Sequence, residues 1–332
     1  MGSSVAVIGA GSWGTALALQ LARTGQQVSL WGHLPEHIDQ LLKDGENQHY
    51  LPGATFPENL TPTSDLAAAL SQTTLVLVVV PSSVFRETLE TIKPLLPPSA
   101  TLAWATKGVE QSSHKLLHQV IEEVLGEKHP KAMLSGPSFA REVADGLPTA
   151  ITVASDQDAT AHQVAEQFHS ETFRCYTSSD LVGVQIGGTT KNIFAIAAGI
   201  ADGLGFGANT RAALMTRGLR EQMRLGLSLG GQQETFMGLS GLGDLVLTCT
   251  DDQSRNRRFG LAIGAGTSFD QAIQKIGQVV EGFDAARDVA ALAHQLGIEM
   301  PITTQVAEVL HHGKDPRDAV RTLLQRDRKS EH

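Results

Sequence analysis

The sequence predicts an α/β fold, a doubly wound and mostly parallel sheet over residues 1–180, followed by an all-α C-terminal domain over residues 181–332. Three observations predict it. Short β-branched and apolar runs alternate with helical stretches through the first half. The first of these runs leads directly into a glycine-rich turn. After about Thr177 the strand signals stop, and helical periodicity continues to the C-terminus.

Composition and charge limit the classes of function. Hydrophobic residues make up 41% of the 332 residues and charged residues 18%, as in an ordinary globular protein. The net charge of −9 argues against non-specific binding to nucleic acid or anionic membranes, so an anionic ligand needs a local cationic site. The longest apolar run, residues 75–80, is too short for membrane insertion, and the N-terminus has no secretory pattern. Cys175 and Cys249 lack metal-ligand spacing, so we expect no metal site and a reducing, cytoplasmic location.

A dinucleotide-binding fingerprint occupies the start of the chain. A strand over residues 5–8 leads into the G-x-G-x-x-G segment 9–14, and a helix over 15–23 and a strand over 27–31 follow. Strand, glycine turn, helix and strand within about 30 residues are the context that this motif requires. The sequence therefore predicts a Rossmann-type domain that binds NAD or NADP.

Each glycine of this segment has its own expected role. Gly9 permits the tight turn, Gly11 lets backbone approach a pyrophosphate, and Gly14 lets the helix lie close to the sheet. The helix N-terminus then offers free N–H groups and the positive end of its dipole to the phosphates.

The end of the second strand bears on the choice between NAD and NADP. Trp31 is followed by Gly32 and His33, with no acidic residue, and the nearest acid, Glu36, comes after a proline. Without that carboxylate a 2′-phosphate is not repelled, so NADP is allowed. His33 could lie near this phosphate or could be an exposed loop residue, and the sequence leaves both open.

Further strands are predicted over residues 74–80, 101–106, 132–134, 151–154 and 173–176. Ligands of such sheets bind beyond the carboxyl ends of the strands. Lys107 and the turn with Gly136 and Ser138 fall at such ends. Lys107 is the one cation among them, so we favour a ligand contact over a solvated loop lysine.

The second half is predicted to form helices over residues 180–202, 210–229, 256–264, 269–276, 282–295, 303–311 and 316–324. The first joins the two domains and carries Lys191, three and four positions after Gly188 and Gly187. Glycine inside a helix costs about 1 kcal/mol relative to alanine. The bare glycines could leave room for a small molecule beside the lysine, where the domains meet, or could serve close helix packing. The charged tail, residues 326–332, is expected to fray.

Two later segments are candidates for the substrate site. A glycine-rich loop over residues 238–243 ends in Asp244, which could be a helix N-cap or the partner of a catalytic lysine. Further on, Ser254 is predicted to cap a helix that starts with Arg255 and Asn256. A helix N-terminus with an arginine fork is a phosphate site. The next two arginines, Arg257 and Arg258, are expected on a solvated basic face.

Several of these motifs together resemble the bacterial-type NAD(P)-dependent glycerol-3-phosphate dehydrogenases. The matching segments span nearly the whole chain, at residues 7–14, 104–108, 135–140, 191–192, 241–245, 254–256 and 279–282. The resemblance implies reversible reduction of dihydroxyacetone phosphate to sn-glycerol 3-phosphate, which supplies glycerophospholipid synthesis. The chain departs from the family at Thr189 and Thr190, where small or apolar residues are more frequent.

The resemblance also implies roles for individual residues. Lys191 becomes the proton donor and acceptor. As a mechanistic hypothesis, we expect Asp244 to keep this lysine charged and aimed, and Lys107 to add positive potential. The implied contacts to the phosphorylated substrate are Lys107, Gly136, Ser138, Lys191, Asp244, Ser254, Arg255 and Asn256. The implied contacts to the cofactor, beyond the three glycines, are Ser12, Trp13, His33, Lys107, Ala140, Arg255, Val279 and Glu281.

Three other functions fit parts of the pattern. One is a dehydrogenase of the same two-domain plan that acts on a 3-hydroxy acid or an opine, although a carboxylate substrate does not need the Ser254–Asn256 phosphate site. Another is a dinucleotide-binding sensor without catalysis, which needs no proton donor. The third is a scaffold in which the small-residue helix serves only packing. A homodimer through the helical domain is compatible with the sequence, which does not identify a face.

Overall fold

The computed structural model describes residues 4–325, so the predicted tail lies outside the described residues. Within this range the chain divides into two units. The first comprises the chain up to Glu110 together with Lys115–Gln185, and the second comprises Gln111–His114 and the chain from Ile186 onward. No helix in the described range is both long and apolar enough to cross a membrane.

The first unit is built on one large sheet. Its strands are β1 (Ser4–Ile8), β2 (Gln27–Trp31), β5 (Leu60–Thr63), β6 (Leu75–Val78), β7 (Thr101–Trp104), β8 (Lys131–Ser135), β9 (Thr149–Ala154) and β10 (Phe173–Ser178). Their order is β10-β9-β8-β7-β6-β1-β2-β5, and only the β8–β9 pair is antiparallel. A small hairpin, β3 (Glu46–Asn47) and β4 (Leu51–Thr55), stands apart from it. The predicted mostly parallel sheet is confirmed.

Helices cover this sheet on both faces. They are α1 (Ser12–Arg23), α2 (Pro35–Asp44), α3 (Leu66–Leu70), α4 (Phe85–Ile92), α5 (Leu117–Leu125), α6 (Ala140–Ala144) and α7 (Asp158–Phe168). In β1, Val5 and Val7 belong to one buried cluster with Leu17 of α1, whereas Ala6 and Ile8 belong to another with helices α4 and α5. Alternate residues of a strand point to opposite faces, so apolar packing closes both faces and leaves the carboxyl edge for ligands.

The second unit consists of helices. After α8 (Leu181–Gly203), which begins in the first unit, come α9 (Ala208–Ser228), α10 (Gln233–Phe236), α11 (Asp244–Thr250), α12 (Arg255–Gly264), α13 (Phe269–Ile276), α14 (Glu281–Gln295), α15 (Pro301–His312) and α16 (Pro316–Leu324). A π-helical turn over Leu239–Gly243 precedes α11. All seven helices predicted for this half are confirmed, each to within two residues at both ends.

Helices α8 and α12 cross at two pairs of glycines. A Cβ on Gly199 would collide with a backbone carbonyl of α12, and a Cβ on Gly260 would collide with a backbone carbonyl of α8. Gly203 and Gly264 repeat this arrangement one turn further along. Such backbone-to-backbone contact is possible only where both helices lack side chains. The crossing therefore fixes the start of α12 relative to the lysine of α8.

A buried carboxylate joins α9 to the start of α15. Glu221 accepts hydrogen bonds from the backbone N–H of Ile302 at 2.6 Å, and from the backbone N–H and hydroxyl of Thr303 at 3.1 and 3.0 Å. Burial disfavours the ionised form more than these bonds favour it, and it raises the pKa of Glu221 to about 7.

This raised pKa predicts a pH-dependent stability. Because the folded pKa of Glu221 exceeds the unfolded value of 4.5, its stabilising contribution is complete below pH 4.5 and is lost as the pH rises through about 7. The full effect is roughly 3 kcal/mol. We expect the melting temperature of the wild type to fall relative to that of Glu221→Gln as the pH is raised from 5 to 8. The glutamine at position 221 does not titrate, so the variant lacks this pH dependence. Parallel pH profiles of the two proteins would contradict the raised pKa.

Candidate active site

The glycine-rich loop of the first unit has the backbone shape that a dinucleotide requires. Gly9 has a φ of +121°, and a Cβ there would collide with the carbonyl oxygen of Val79 after β6. A Cβ on Gly14 would collide with the carbonyl oxygen of Gly9, whereas no atom of the described residues lies within 4 Å of a Cβ on Gly11. Two glycines are thus fixed by packing, and the third leaves open space at the start of α1. The residues present fit a bound pyrophosphate.

A buried asparagine that sequence reasoning missed supports this loop. Asn47 donates hydrogen bonds to the carbonyl oxygen of Ala10 at 3.0 Å and to the hydroxyl of Thr15 at 2.8 Å. Ser12 donates to the carbonyl oxygen of Tyr50 at 2.8 Å. These contacts tie the loop and the start of α1 to the β3–β4 hairpin. No local sequence signal pointed to Asn47, because the hairpin strands are too short to show a period.

The remaining cofactor candidates of the first unit lie on its surface or partly within it. His33 follows β2 and is exposed, as in the loop alternative, and its contact with a cofactor stays a prediction. Trp13 packs against the apolar core on the α1 side, and Ala140 begins α6.

Lys107 and the turn after β8 come together at the carboxyl edge of the sheet. The Lys107 ammonium donates to the carbonyl oxygen of Leu134 at 3.1 Å and to the hydroxyl of Ser135 at 3.2 Å. In the same turn Ser138 donates to the carbonyl oxygen of Gly136 at 2.9 Å. Gly136 has a φ of +146°, a conformation that favours glycine. The structure thus places Lys107 against a neighbouring strand end, and its contact with a ligand stays a prediction.

The second unit pairs Lys191 of α8 with Asp244 of α11. The lysine Nζ lies 2.5 Å from Asp244 Oδ1, and the two side chains are 13% and 0% exposed. Of the two roles considered for Asp244, the structure shows the lysine partner, because Gly243 occupies the cap position of α11. The Lys191 side chain is therefore partly accessible, while its ammonium group is paired with a fully buried carboxylate.

Thr248 is a neighbour of this pair that the sequence analysis missed. Its hydroxyl donates to the backbone carbonyl oxygen of Asp244 at 2.6 Å and lies 3.4 Å from Asp244 Oδ1. The second carboxylate oxygen, Oδ2, is buried without a hydrogen-bond partner among the described residues. The spacing of four residues between Asp244 and Thr248 on one helix was the available signal.

The starts of α12 and α14 meet the helical turn that follows Lys191. Asn192 donates from Nδ2 to Glu281 at 3.0 Å, and Asn256 accepts at Oδ1 from the backbone N–H of Gly282 at 2.8 Å. A Cβ on Gly282 would lie 2.7 Å from both the Asn192 carbonyl oxygen and Asn256 Oδ1. Three helices therefore converge around one glycine, which brings Lys191 and Asn256 into the same neighbourhood.

The start of α12 is capped as predicted, but one of its arginines was placed wrongly. Ser254 Oγ accepts from the backbone N–H of Arg257 at 3.2 Å, and Arg255 donates to Gln278 at 3.2 Å. Arg257 is buried and ion-paired with Asp202 at 2.6 Å, so it is not on a solvated face. Arg258 is exposed, as expected.

Gly187, one helical turn before Lys191, is required for close packing. A Cβ on Gly187 would collide with the carbonyl oxygen of Ser240 in the π-helical turn. The space is therefore filled by backbone, and the idea that Gly187 leaves room for a small molecule is wrong. The part of the Lys191 side chain that is accessible, 13%, is therefore not provided by a gap at Gly187.

Comparisons with known proteins agree with this geometry. The NAD-dependent glycerol-3-phosphate dehydrogenase N-terminus family matches residues 4–161, and the corresponding C-terminus family matches residues 180–321. A protein of Thioalkalivibrio sulfidiphilus named glycerol-3-phosphate dehydrogenase (NAD(P)+) is 58% identical over 327 residues, 98% of each chain. A protein of the same name from Shigella boydii is 54% identical, over 99% of this chain and 97% of its own.

A solved structure has the same fold over nearly its whole length. The crystal structure of glycerol-3-phosphate dehydrogenase from Coxiella burnetii superposes with a TM-score of 0.95 at 50% sequence identity. The match covers 98% of this chain and 99% of that one.

Proposed function

The chain belongs to the NAD-dependent glycerol-3-phosphate dehydrogenase family, and from that premise we propose that it catalyses the reversible NAD(P)H-dependent reduction of dihydroxyacetone phosphate to sn-glycerol 3-phosphate. The observation that carries the proposal is the Lys191–Asp244 pair in one neighbourhood with the capped start of α12. This arrangement supplies a proton donor and a phosphate site for one small substrate.

In this proposal residues 1–180 bind the dinucleotide and residues 181–332 bind the substrate. Gly9, Gly11 and Gly14 shape the turn, and the N–H groups at the start of α1 receive the pyrophosphate. A dinucleotide held there would supply the hydride for reduction of the keto carbon. The absence of an acid after Trp31 leaves NADP acceptable beside NAD. The other proposed cofactor contacts are Ser12, Trp13, His33, Lys107, Ala140, Arg255, Val279 and Glu281.

Lys191 acts on the carbonyl oxygen of the substrate. Its ammonium group donates a hydrogen bond to this oxygen and transfers a proton to it as negative charge develops during reduction. The Asp244 carboxylate lies 2.5 Å from the Lys191 ammonium group and orients it. Thr248 holds Asp244 in place through a hydrogen bond from its hydroxyl to the backbone carbonyl oxygen of Asp244. In the reverse reaction Lys191 takes the proton from the hydroxyl group of sn-glycerol 3-phosphate.

The start of α12 holds the phosphate. Three features combine there: the positive end of a helix, free N–H groups, and the Arg255 guanidinium, which is only partly buried. Asn256 is held by its bond to Gly282 and defines the site from the other side. Binding energy from the phosphate orients the reacting carbon, which lies several bonds away. We further propose that Lys107, Gly136 and Ser138 contact the substrate.

Arg255→Gln should raise the KM for dihydroxyacetone phosphate. A hydrogen bond to a charged group contributes about 1.5–3 kcal/mol, which corresponds to a loss of roughly ten- to a hundredfold in kcat/KM. Initial rates with varied dihydroxyacetone phosphate measure it. Arg258→Gln makes the same chemical change on the exposed side of the same helix and should leave KM within about twofold. Equal effects of the two substitutions would refute the phosphate site.

The decisive assay for the reaction is the fall in NADPH or NADH absorbance when dihydroxyacetone phosphate is added to the purified protein. Rapid oxidation that requires this substrate is expected, and the ratio of the two rates gives the cofactor preference. Oxidation with 3-hydroxy-acid or opine precursors instead would favour the alternative dehydrogenases. NADPH binding without any oxidation would favour the sensor.

We also propose a cellular setting. The product supplies glycerophospholipid synthesis, and Cys175 and Cys249, both unpaired, are consistent with the reducing cytoplasm. The homodimer that the sequence allows stays a prediction, which sedimentation velocity checks.

A further inference from the structure

A long apolar groove lies in the helical unit, on residues that the proposed reaction does not use. Its volume is about 700 Å³, within the roughly 300–1,000 Å³ range of small-molecule sites. Helices α8 and α15 form its floor, with Ile200 and Val306 among the lining residues, and α9 and α16 also line it. Lys191, Asp244 and the start of α12 are not among the lining residues.

The groove is elongated. Residues of α9 line it from Thr210 to Leu227, which is about 25 Å of helix at 1.5 Å per residue. Two large apolar side chains along it are conspicuously exposed, Leu227 at 45% and Leu324 at 80%. Exposed apolar side chains that continue an apolar groove are a feature of ligand-binding surfaces.

The charges along the groove are one-sided. Arg217, Arg220 and Arg224 of α9 line it and are exposed at steps of three and four residues, so they share one face of the helix. Among the described residues, the only acid that lines it is Glu221, which is buried and bonded to the start of α15. A local excess of positive charge stands out in a chain whose net charge is −9.

We propose that this groove binds a single-chain anionic amphiphile, an alkyl chain with a carboxylate or phosphate head. The alkyl chain lies along the apolar floor, and the head pairs with the arginines of α9. The apolar lining favours an alkyl chain, and the row of arginines on α9 favours a negatively charged head group. A second copy of this protein is the alternative occupant; a twofold interface on this groove would bring both arginine rows into one contact, so the test includes the oligomeric state.

The test is direct binding of laurate and of monododecyl phosphate to the full-length protein, below their micellar concentrations, by isothermal titration calorimetry. Neutral 1-dodecanol serves as the uncharged probe. The triple variant Arg217→Gln, Arg220→Gln, Arg224→Gln should weaken both anions at least tenfold and the alcohol less than threefold. Ala213→Trp, which fills the groove from α9, should abolish binding of all three probes.

A matched variant controls for net charge. Arg174→Gln, Arg317→Gln and Arg321→Gln remove three exposed arginines outside the groove lining, and affinity should stay within twofold of the wild type. Comparison of the two anions shows whether the site prefers a carboxylate or a phosphate head, and either preference agrees with the proposal.

Two results would overturn it. The first is the absence of saturable binding, or binding that neither the triple variant nor Ala213→Trp alters. The second is a wild-type dimer in sedimentation velocity that Ala213→Trp converts to a monomer, together with no laurate binding, because the groove would then be an interface between copies. Neither result changes the outcome expected in the dehydrogenase assay, so the groove proposal and the proposed reaction are tested independently.

Discussion

Replacing Lys191 with methionine should lower kcat for dihydroxyacetone phosphate reduction about a thousandfold, while NADPH still binds. A positioned general acid contributes roughly 10²–10⁴-fold to such reactions. Methionine nearly matches the length of lysine and removes only the ammonium group. The expected loss is in kcat more than in KM, because the proton transfer belongs to the transition state.

The design must separate lost chemistry from a damaged fold. Lys191→Met leaves the buried Asp244 carboxylate unpaired, which can cost about 3–5 kcal/mol of stability. The double variant Lys191→Met, Asp244→Asn removes that charge and should recover stability but not activity. Lys275→Met, at an exposed position, is the matched control and should behave as the wild type. A double variant that melts like the wild type and turns over normally would refute the role of Lys191.

The second large effect is expected at the glycine crossing of the helical unit. Gly199→Val should destabilise the protein by at least about 4 kcal/mol or prevent its folding, because the new side chain meets backbone of α12 that cannot rotate away. Gly260→Val should act similarly, through the backbone of α8. Urea unfolding, or the soluble yield where folding fails, measures the loss.

A glycine in open space provides the comparison. Gly207, the residue before α9, has a φ of −88°, and within the described part of the chain no atom lies within 4 Å of a Cβ there. Gly207→Ala should therefore change stability by no more than about 1 kcal/mol. The milder Gly199→Ala tests the link to function: where it folds, the shift of α12 should raise the KM for dihydroxyacetone phosphate. An unchanged KM would separate the crossing from the phosphate site.

Local sequence is sufficient to predict the elements that have a strong period or a turn signature. The seven helices of the second half have apolar residues at helical spacing and clear end signals, so their bounds were predicted to within two residues. The fingerprint 9–14 was identified because strand, glycine turn and helix occur in a fixed order. The cap at Ser254 and the pairing of Lys191 with Asp244 were also among the predictions.

Other features depend on residues far apart in the chain. The β3–β4 hairpin has strands too short for periodicity, and the antiparallel direction of β9 leaves no mark in an apolar run. In the sequence, Arg257 cannot be distinguished from an arginine of a solvated basic face. Its ion-pair partner, Asp202, is 55 positions away in the chain and lies 2.6 Å from it in the fold. Neither burial nor a distant ion-pair partner can be read from local composition.

The glycines give the clearest example of what depends on tertiary packing and not on local sequence. Sequence reasoning noticed Gly187 but could not tell open space from packing, because that depends on where Ser240 lies. Local pattern thus determined which elements form and which residue types carry the chemistry. Only tertiary packing decided which side chains meet, since contact between α8, α11, α12 and α14 requires long-range closure of the chain, and no local period encodes it.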